Sequence, residues 1–398
     1  MAALVEAGRE AATGQTIDVV AVCALGPAPI LVDRELEPLT PALLFSLDRR
    51  AEAERSRLGV THDHALPKLL WWRDNQPEII RDAAFAIDAT GFLVARLTGA
   101  VVMDRITHGD YGHEQPSPFR LPGLHDPCDV AGGLTADAAA ALGLRESTPV
   151  AVGTYDTYGD LAAVGVLAPG DAGVILGSTV IIGYACSEPA PECPGLARSR
   201  YVGEGILLGG WTASGGAAID WCERELGAAD VTDRAPGSGG LVFLPYLAGE
   251  RTPVWDPGAR GVLLGITLET RREDICRAVV DGVALSTRDH AERLRDAGLA
   301  PGAWRISGGG TRNAAWLAAT CDALGTPLEL VAHAGEAAGA AVLALRAVGV
   351  DVALPVEREL VPDAARLERF EALHEIYGGL YSSTADLAHR LGRIERGA

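Results

Sequence analysis

The chain has 398 residues and a formal net charge of -19. Its length points to two or three domains, and 48% hydrophobic with 22% charged residues excludes a disordered or fibrous chain. The negative balance excludes a general nucleic-acid binder, which needs a basic face to displace counterions, and disfavours an anionic membrane surface.

Lys68 is the only lysine, and it follows Pro67. A phosphate loop of the G-x-x-x-x-G-K-[ST] type is therefore excluded. The seven cysteines (Cys23, Cys128, Cys186, Cys193, Cys222, Cys276 and Cys321) are scattered without a C-x-x-C, so neither a disulfide framework nor a zinc knuckle is expected. Met1 to Glu6 lacks a charged region followed by an apolar run, and no uncharged apolar run reaches membrane-spanning length. A cytoplasmic protein with buried thiols is expected.

In chain order, Ala2 to Ala12 reads as the end of a helix, followed by strands at Ile17 to Val22, Ile30 to Val32 and Ala42 to Phe45. Helices follow at Asp48 to Leu58 and Leu66 to Asn75, and a third runs from Pro77 towards Leu97 with a break at Gly91. Residues 109 to 130, rich in Gly, Pro and His, read as a surface loop. Val150 to Gly153 is a short strand, and Thr157 to Val166 a helix. A hairpin pattern follows: Ala172 to Leu176, the turn Gly177-Ser178-Thr179, and Val180 to Tyr184. Ile206 to Leu208 extends the sheet. Trp211 to Leu226 reads as helix, Leu241 to Leu247 as strand and Arg271 to Ala297 as a long helix. Arg305 to Ser307 is a strand leading into Gly308-Gly309-Gly310. Asn313 to Leu324, Glu336 to Val348 and Ala364 to Leu391 are helical. The alternation argues an α/β fold, divided near residue 167 at Pro169-Gly170 into domains 1–167 and 168–398.

Four constellations could carry chemistry. Asp156, in Gly153-Thr154-Tyr155-Asp156-Thr157, sits at a strand-to-helix turn, where α/β proteins place reactive groups; a helix cap is the competing reading. Gly177-Ser178-Thr179 could offer backbone N–H groups to a phosphate or be an ordinary hairpin turn. Ser307-Gly308-Gly309-Gly310-Thr311-Arg312-Asn313 lets backbone approach a ligand at a helix N-terminus, but it is not G-x-G-x-x-G. Gly249-Glu250-Arg251-Thr252-Pro253 could place a polar pair at a cleft or be a surface Glu–Arg pair of little energetic weight. His62-Asp63-His64 has no third ligand cluster nearby and reads as solvated rather than metal-binding.

Taken in order, these pieces resemble the FGGY family of carbohydrate kinases. Gly261-Val262-Leu263-Leu264-Gly265-Ile266 through Asp274-Ile275-Cys276-Arg277-Ala278-Val279-Val280-Asp281 fits the family's C-terminal signature. Pro67-Lys68-Leu69-Leu70-Trp71, Arg96-Leu97-Thr98-Gly99 and Gly308 to Asn313 look like further landmarks. The resemblance implies two actin-like (ribonuclease H-like) domains around a cleft, with ATP, Mg2+ and a small sugar or polyol as ligands. It implies no nucleic-acid or membrane partner, and a homodimer is the candidate assembly. Asp156 would be the base that takes the proton from the sugar hydroxyl. Gly177, Ser178 and Thr179 would face the ATP phosphates, with Gly308, Gly309, Gly310 and Asn313 near the α-phosphate and adenine. Asp48, Arg50, Gly26 and Thr157 would lie near the sugar.

Two features depart from the family. Its opening Asp-x-Gly-Thr hairpin is not found before Ile17, so the first domain is expected to be N-terminally truncated. The sugar loop reads Cys23-Ala24-Leu25-Gly26-Pro27-Ala28, whose side chains offer little hydrogen bonding, so a backbone-lined pocket for a different sugar is expected. The reading is thus an ATP-dependent carbohydrate kinase. The alternatives are a catalytically impaired remnant that binds sugar or nucleotide, and another actin-like ATPase.

Overall fold

The computed structural model describes residues 5–6, 8–10, 13–14, 16–44, 48–60, 64–111, 119–203 and 205–395. Met1 to Leu4, Phe45, His62 and Asp63 lie outside them. The chain forms two compact units. The first is Met1–Ala163 with Ser199–Glu204 and Gly335–Ala353; the second is Val164–Arg198, Gly205–Ala334 and Leu354–Ala398. The division thus falls at 163/164 rather than at 167, and two later segments return to the first unit. Tertiary packing sets that return: helix Glu336–Ala347 seats against helix Asp156–Ala163 through Gly339 and Gly159, where a Cβ on Gly339 would meet the Gly159 carbonyl oxygen at 1.8 Å.

The first unit has short strands: β1 (Cys23–Ala24), β2 (Ile30–Val32), β3 (Phe85–Ile87), β4 (Val102–Asp104), β5 (Gly123–His125), β6 (Val130–Gly133), β7 (Pro149–Ala151) and β8 (Thr154–Tyr155). β1 pairs parallel with β8, Cys23 opposite Thr154 and Ala24 opposite Tyr155. Residues 17–22 carry only a bridge, Val20 to Val150, so the ladder starts later than the apolar run suggests. Residues 42–44 are irregular, not a strand. The helix from Pro77 ends at Asp82; β3 follows, then helix Ala89–Thr98. Asp88 starts that last helix by accepting from the Thr90 and Gly91 N–H groups. Gly91 belongs to its first turn, because a Cβ there would lie 2.9 Å from the Val102 carbonyl oxygen. Residues 109–130 contain β5, paired parallel with β4. Val22, Val94, Leu97, Val150 and Val152 form one core; Leu31, Leu69, Trp72, Met103 and Tyr111 form another.

The second unit is built on β9 (Ala172–Leu176), β10 (Val180–Cys186), β12 (Ile206–Trp211), β15 (Trp304–Ser307), β16 (Leu328–Val331) and β17 (Val356–Leu360); the edge strand β11 (Ala197–Arg200) of the same sheet spans the division at 198/199. The order is β11-β12-β10-β9-β15-β16-β17, with β13 (Val242–Leu244) and β14 (Val262–Leu264) paired separately. β9, β15 and β16 are parallel; β10 is antiparallel to both β9 and β12, and β17 is antiparallel to β16. Trp211 ends β12, and the helix after it is Gly216–Leu226. Helices Arg272–Asp296 and Ala314–Leu324 bury most of their length because they pack within one core with Val174, Ile182, Phe243, Trp304 and Leu328.

Candidate functional site

In the first unit the parallel pair β1–β8 ends with both chains pointing the same way. β1 runs into the Leu25–Ala28 loop, and β8 runs directly into helix Asp156–Ala163. Gly26 packs on Tyr155, where a Cβ would stand 2.6 Å from the Tyr155 Cβ, so the loop reaches the residue beside Asp156 only because position 26 is glycine. Gly153 holds φ +70°, and its missing Cβ leaves room for the Val22 carbonyl oxygen.

Asp156 is the first helical residue, and its Oδ1 accepts from the Thr157 N–H at 2.7 Å and the Thr157 hydroxyl at 3.4 Å. A cap would accept from the second or third helical N–H, so the geometry separates Asp156 from a simple capping role. Oδ2 carries no hydrogen bond among the described residues. Partial burial raises the affinity of Asp156 for a proton, the Thr157 N–H opposes this, and the charge of Glu336 adds to it. One turn on, Asp160 is pushed up to about 7 by burial, with Glu336 and Asp156 adding. Three carboxyl groups from two helices thus share one field.

Behind β8 lie two buried carboxylates that act structurally. Asp88 caps helix Ala89–Thr98, and Asp104 caps helix Arg105–Asp110 while accepting from the Thr154 hydroxyl at 3.2 Å. Burial, then the charge of Asp88, pushes Asp104 up to about 7. Thr90 ties β1 to β8, accepting from the Ala24 N–H and donating to the Thr154 carbonyl.

Asp48 and Arg50 are engaged with each other: Arg50 Nε lies 2.9 Å from both Asp48 oxygens, and its guanidinium sits over the Trp71 ring. Burial alone would raise the Asp48 carboxyl, but the Arg50 hydrogen bonds outweigh it and hold the group low. No hydrogen bond or ion pair among the described residues joins this pair to Asp156.

In the second unit the parallel register of β9 and β15 sets two turns side by side. Ser307 stands opposite Ile175, so Gly177-Ser178-Thr179 and Gly308-Gly309-Gly310 both emerge at the C-terminal edge. Gly308 has φ +100°, and a Cβ there would lie 2.5 Å from the Leu176 carbonyl oxygen. Gly310 leaves room for the Trp316 ring. Ser178 and Gly309 are exposed at the two tips. The first turn is fixed from below: the Gly216 and Ala217 N–H groups donate to the Gly177 and Ser178 carbonyls. Asn313 caps helix Ala314–Leu324, its side chain accepting from the Trp316 N–H at 3.1 Å.

Asn313 also lines a small open cleft with Cys222, Cys276, Val279, Val280 and Ala315. Its far wall, Asp230 to Thr232, is held by a buried ion pair. Arg277 reaches Asp281 at 2.7 Å, Arg277 also donates to the Val231 carbonyl, and Asp281 accepts from the Gly237 N–H. Gly282 lets the same helix lie against β13, where a Cβ would stand 2.2 Å from the Phe243 carbonyl oxygen.

Residues 172–348 match the model of the FGGY family of carbohydrate kinases, C-terminal domain. A xylulose kinase of Bacillus subtilis is 26% identical over 90% of this chain and 81% of its own length. A glycerol kinase of Alkalilimnicola ehrlichii is 28% identical over 85% of this chain and 75% of its own. The crystal structure of xylulose kinase from Rhodospirillum rubrum, 26% identical, superposes with a TM-score of 0.84 over 98% of this chain and 90% of that one. The chain belongs to the FGGY family of carbohydrate kinases. Its fold is that of two actin-like ATPase domains. The family signature at residues 261–281 acquires a physical meaning here: it holds β14 together with the Arg277–Asp281 pair that braces the cleft wall.

Sequence reasoning missed several groups. Asp160 was discoverable from its i,i+4 spacing to Asp156; Glu336 was not, because only packing brings it there. Glu250 is not a surface partner of Arg251. It is buried, and its Oε1 accepts from the Ala213 N–H at 2.5 Å and the Arg251 N–H at 2.8 Å. Burial pushes it up to about 8.

Proposed function

We propose that this FGGY-family chain transfers the γ-phosphoryl group of ATP to a hydroxyl of a small sugar or polyol, with Asp156 as the general base. The observation that carries the reading is Asp156 itself: one oxygen fixed by Thr157, the other without a hydrogen bond, in an acidic environment that favours proton uptake. Phosphoryl transfer asks the protein mainly to position groups and to orient and deprotonate the acceptor. As the acceptor oxygen bonds to phosphorus, its proton passes to Asp156 Oδ2 and the bond to ADP breaks. The Gly26 loop, beside Tyr155, would present backbone groups to the sugar, with Thr157 at the base; Asp48 and Arg50 would form part of the sugar wall.

Adjacent turns with exposed tips fit a triphosphate chain, whose oxygens accept from backbone N–H groups. Gly177, Ser178 and Thr179 would face the phosphates, and Gly308, Gly309, Gly310 and Asn313 would lie along the α-phosphate and base, with the cleft beside Asn313 holding the base. Among the described residues, no group of three or more His, Cys, Asp or Glu side chains is placed to hold a metal ion. Magnesium would enter with the nucleotide, bound to its phosphates and water, with at most one or two carboxylates of the chain completing its shell. ADP release measured against pentoses, pentuloses, hexoses and polyols tests the reading: sugar-dependent turnover with at least one class supports it, and none with any class contradicts it.

A further inference from the structure

We propose that Cys222 and Cys276 form a two-thiol site for a three-coordinate thiophilic centre, the class of trivalent organoarsenicals, in the wall of the cleft beside Asn313. The thiols come from different helices, Gly216–Leu226 and Arg272–Asp296, and their Sγ atoms lie 3.4 Å apart. Neither is in a disulfide, and both line the cleft. A disulfide needs about 2.05 Å, so oxidation would require the sulfurs to close by about 1.3 Å. Two sulfurs on one centre, with bonds of about 2.3 Å meeting near a right angle, span about 3.3 Å. Capture by one atom therefore needs almost no movement of either helix.

The protonation state points the same way. Burial pushes the Cys222 thiol up to about 12, and the neighbouring Cys276 sulfur adds to it. Exchange with a small disulfide requires a thiolate, which this setting suppresses. Reaction with an arsenoxide, R–As=O, has a different balance: two As–S bonds form, the As–O bonds break, and the oxygen leaves as water with both thiol protons. Arsenic stays trivalent, and no oxidant is needed. The consequence for activity rests on the nucleotide reading above, since an adduct on this wall would occupy space assigned to the base.

The test uses the full chain with phenylarsine oxide, read by intact mass and peptide mapping. Wild type is expected to take one phenylarsenic group bridging Cys222 and Cys276, removable by a dithiol and not by a monothiol. Cys222→Ser and Cys276→Ser should each bind at least about a hundredfold more weakly, because one of two attachments is lost. Cys186→Ser should keep the adduct, because Cys186 does not line this cleft. A serine variant that does not melt cooperatively is replaced by alanine. No adduct on wild type, an adduct retained in both variants, or one mapped to Cys186 or Cys193 overturns the proposal. A non-hydrolysable ATP analogue should slow adduct formation. If the analogue binds by calorimetry but gives no protection, the cleft is not its site and the link to activity falls, while the kinase reading stands. If the analogue does not bind at all, the kinase reading is contradicted, and the mapping still decides the dithiol site.

Discussion

Gly339 lies so close to Gly159 that a Cβ at position 339 would stand 1.8 Å from the Gly159 carbonyl oxygen. This contact seats helix Glu336–Ala347 on helix Asp156–Ala163 and brings Glu336 to Asp156 and Asp160. Gly339→Ala must move one helix away from the other. Overpacking of this kind costs typically ~1–3 kcal/mol, and for a chain of this size the melting temperature should fall by several degrees. The turnover number should fall more than the KM for ATP changes. Unchanged melting together with unchanged turnover would contradict the contact.

The charge of Glu336 helps raise the proton affinity of Asp156, after burial. Glu336→Gln removes that charge, so Asp156 should release its proton more easily. A base works only when deprotonated, so the acid limb of kcat/KM should move to lower pH. A profile that stays in place, or moves to higher pH, shows that Glu336 does not act on the base.

On the nucleotide side, Asn313→Ala removes the cap of helix Ala314–Leu324, with a stability loss of about 1 kcal/mol. Gly308→Ala puts a Cβ 2.5 Å from the Leu176 carbonyl oxygen in a left-handed conformation. Both substitutions should raise the KM for ATP, with a smaller effect on the KM for the sugar. Equal changes in both constants would indicate general loosening instead.

Glu250 provides a pH test. Its carboxyl is raised from 4.5 to about 8 by burial, so the folded protein holds a proton that the unfolded chain gives up. The stability from this group is complete below about 4.5 and is lost as pH rises towards 8. Glu250→Gln keeps a neutral side chain whose oxygen can still accept from Ala213 and Arg251. The variant should therefore gain in melting temperature relative to wild type as pH rises from 5 to about 8. A constant difference across that range would show that Glu250 is already ionised in the folded state.

The hairpin at residues 172–186 was legible because Gly177-Ser178-Thr179 interrupts two apolar runs, and Asn313 was legible as a helix start for the reason it caps one. β3 was hidden between Pro77 and Gly91, two residues that locally suggest a single broken helix. The burial of Glu250 could not be read locally, since its partner is the Ala213 N–H from a distant loop. The Glu336–Asp156 proximity and the Cys222–Cys276 pair arise from helix packing, which leaves no periodic trace in the chain. Asp156 was legible as a candidate, but only the geometry of its hydrogen bonds sets it apart from a simple helix cap.

The central claim is that Asp156 takes the proton from the substrate hydroxyl. Asp156→Asn keeps the size of the side chain and an oxygen that can accept from the Thr157 N–H, but the amide cannot act as a base at neutral pH. Steady-state ADP release should fall by about 10²–10⁴ with the substrate that wild type prefers, while the melting temperature stays close to wild type. If Asp156→Asn turns over that substrate within a few-fold of wild type, Asp156 is not the base.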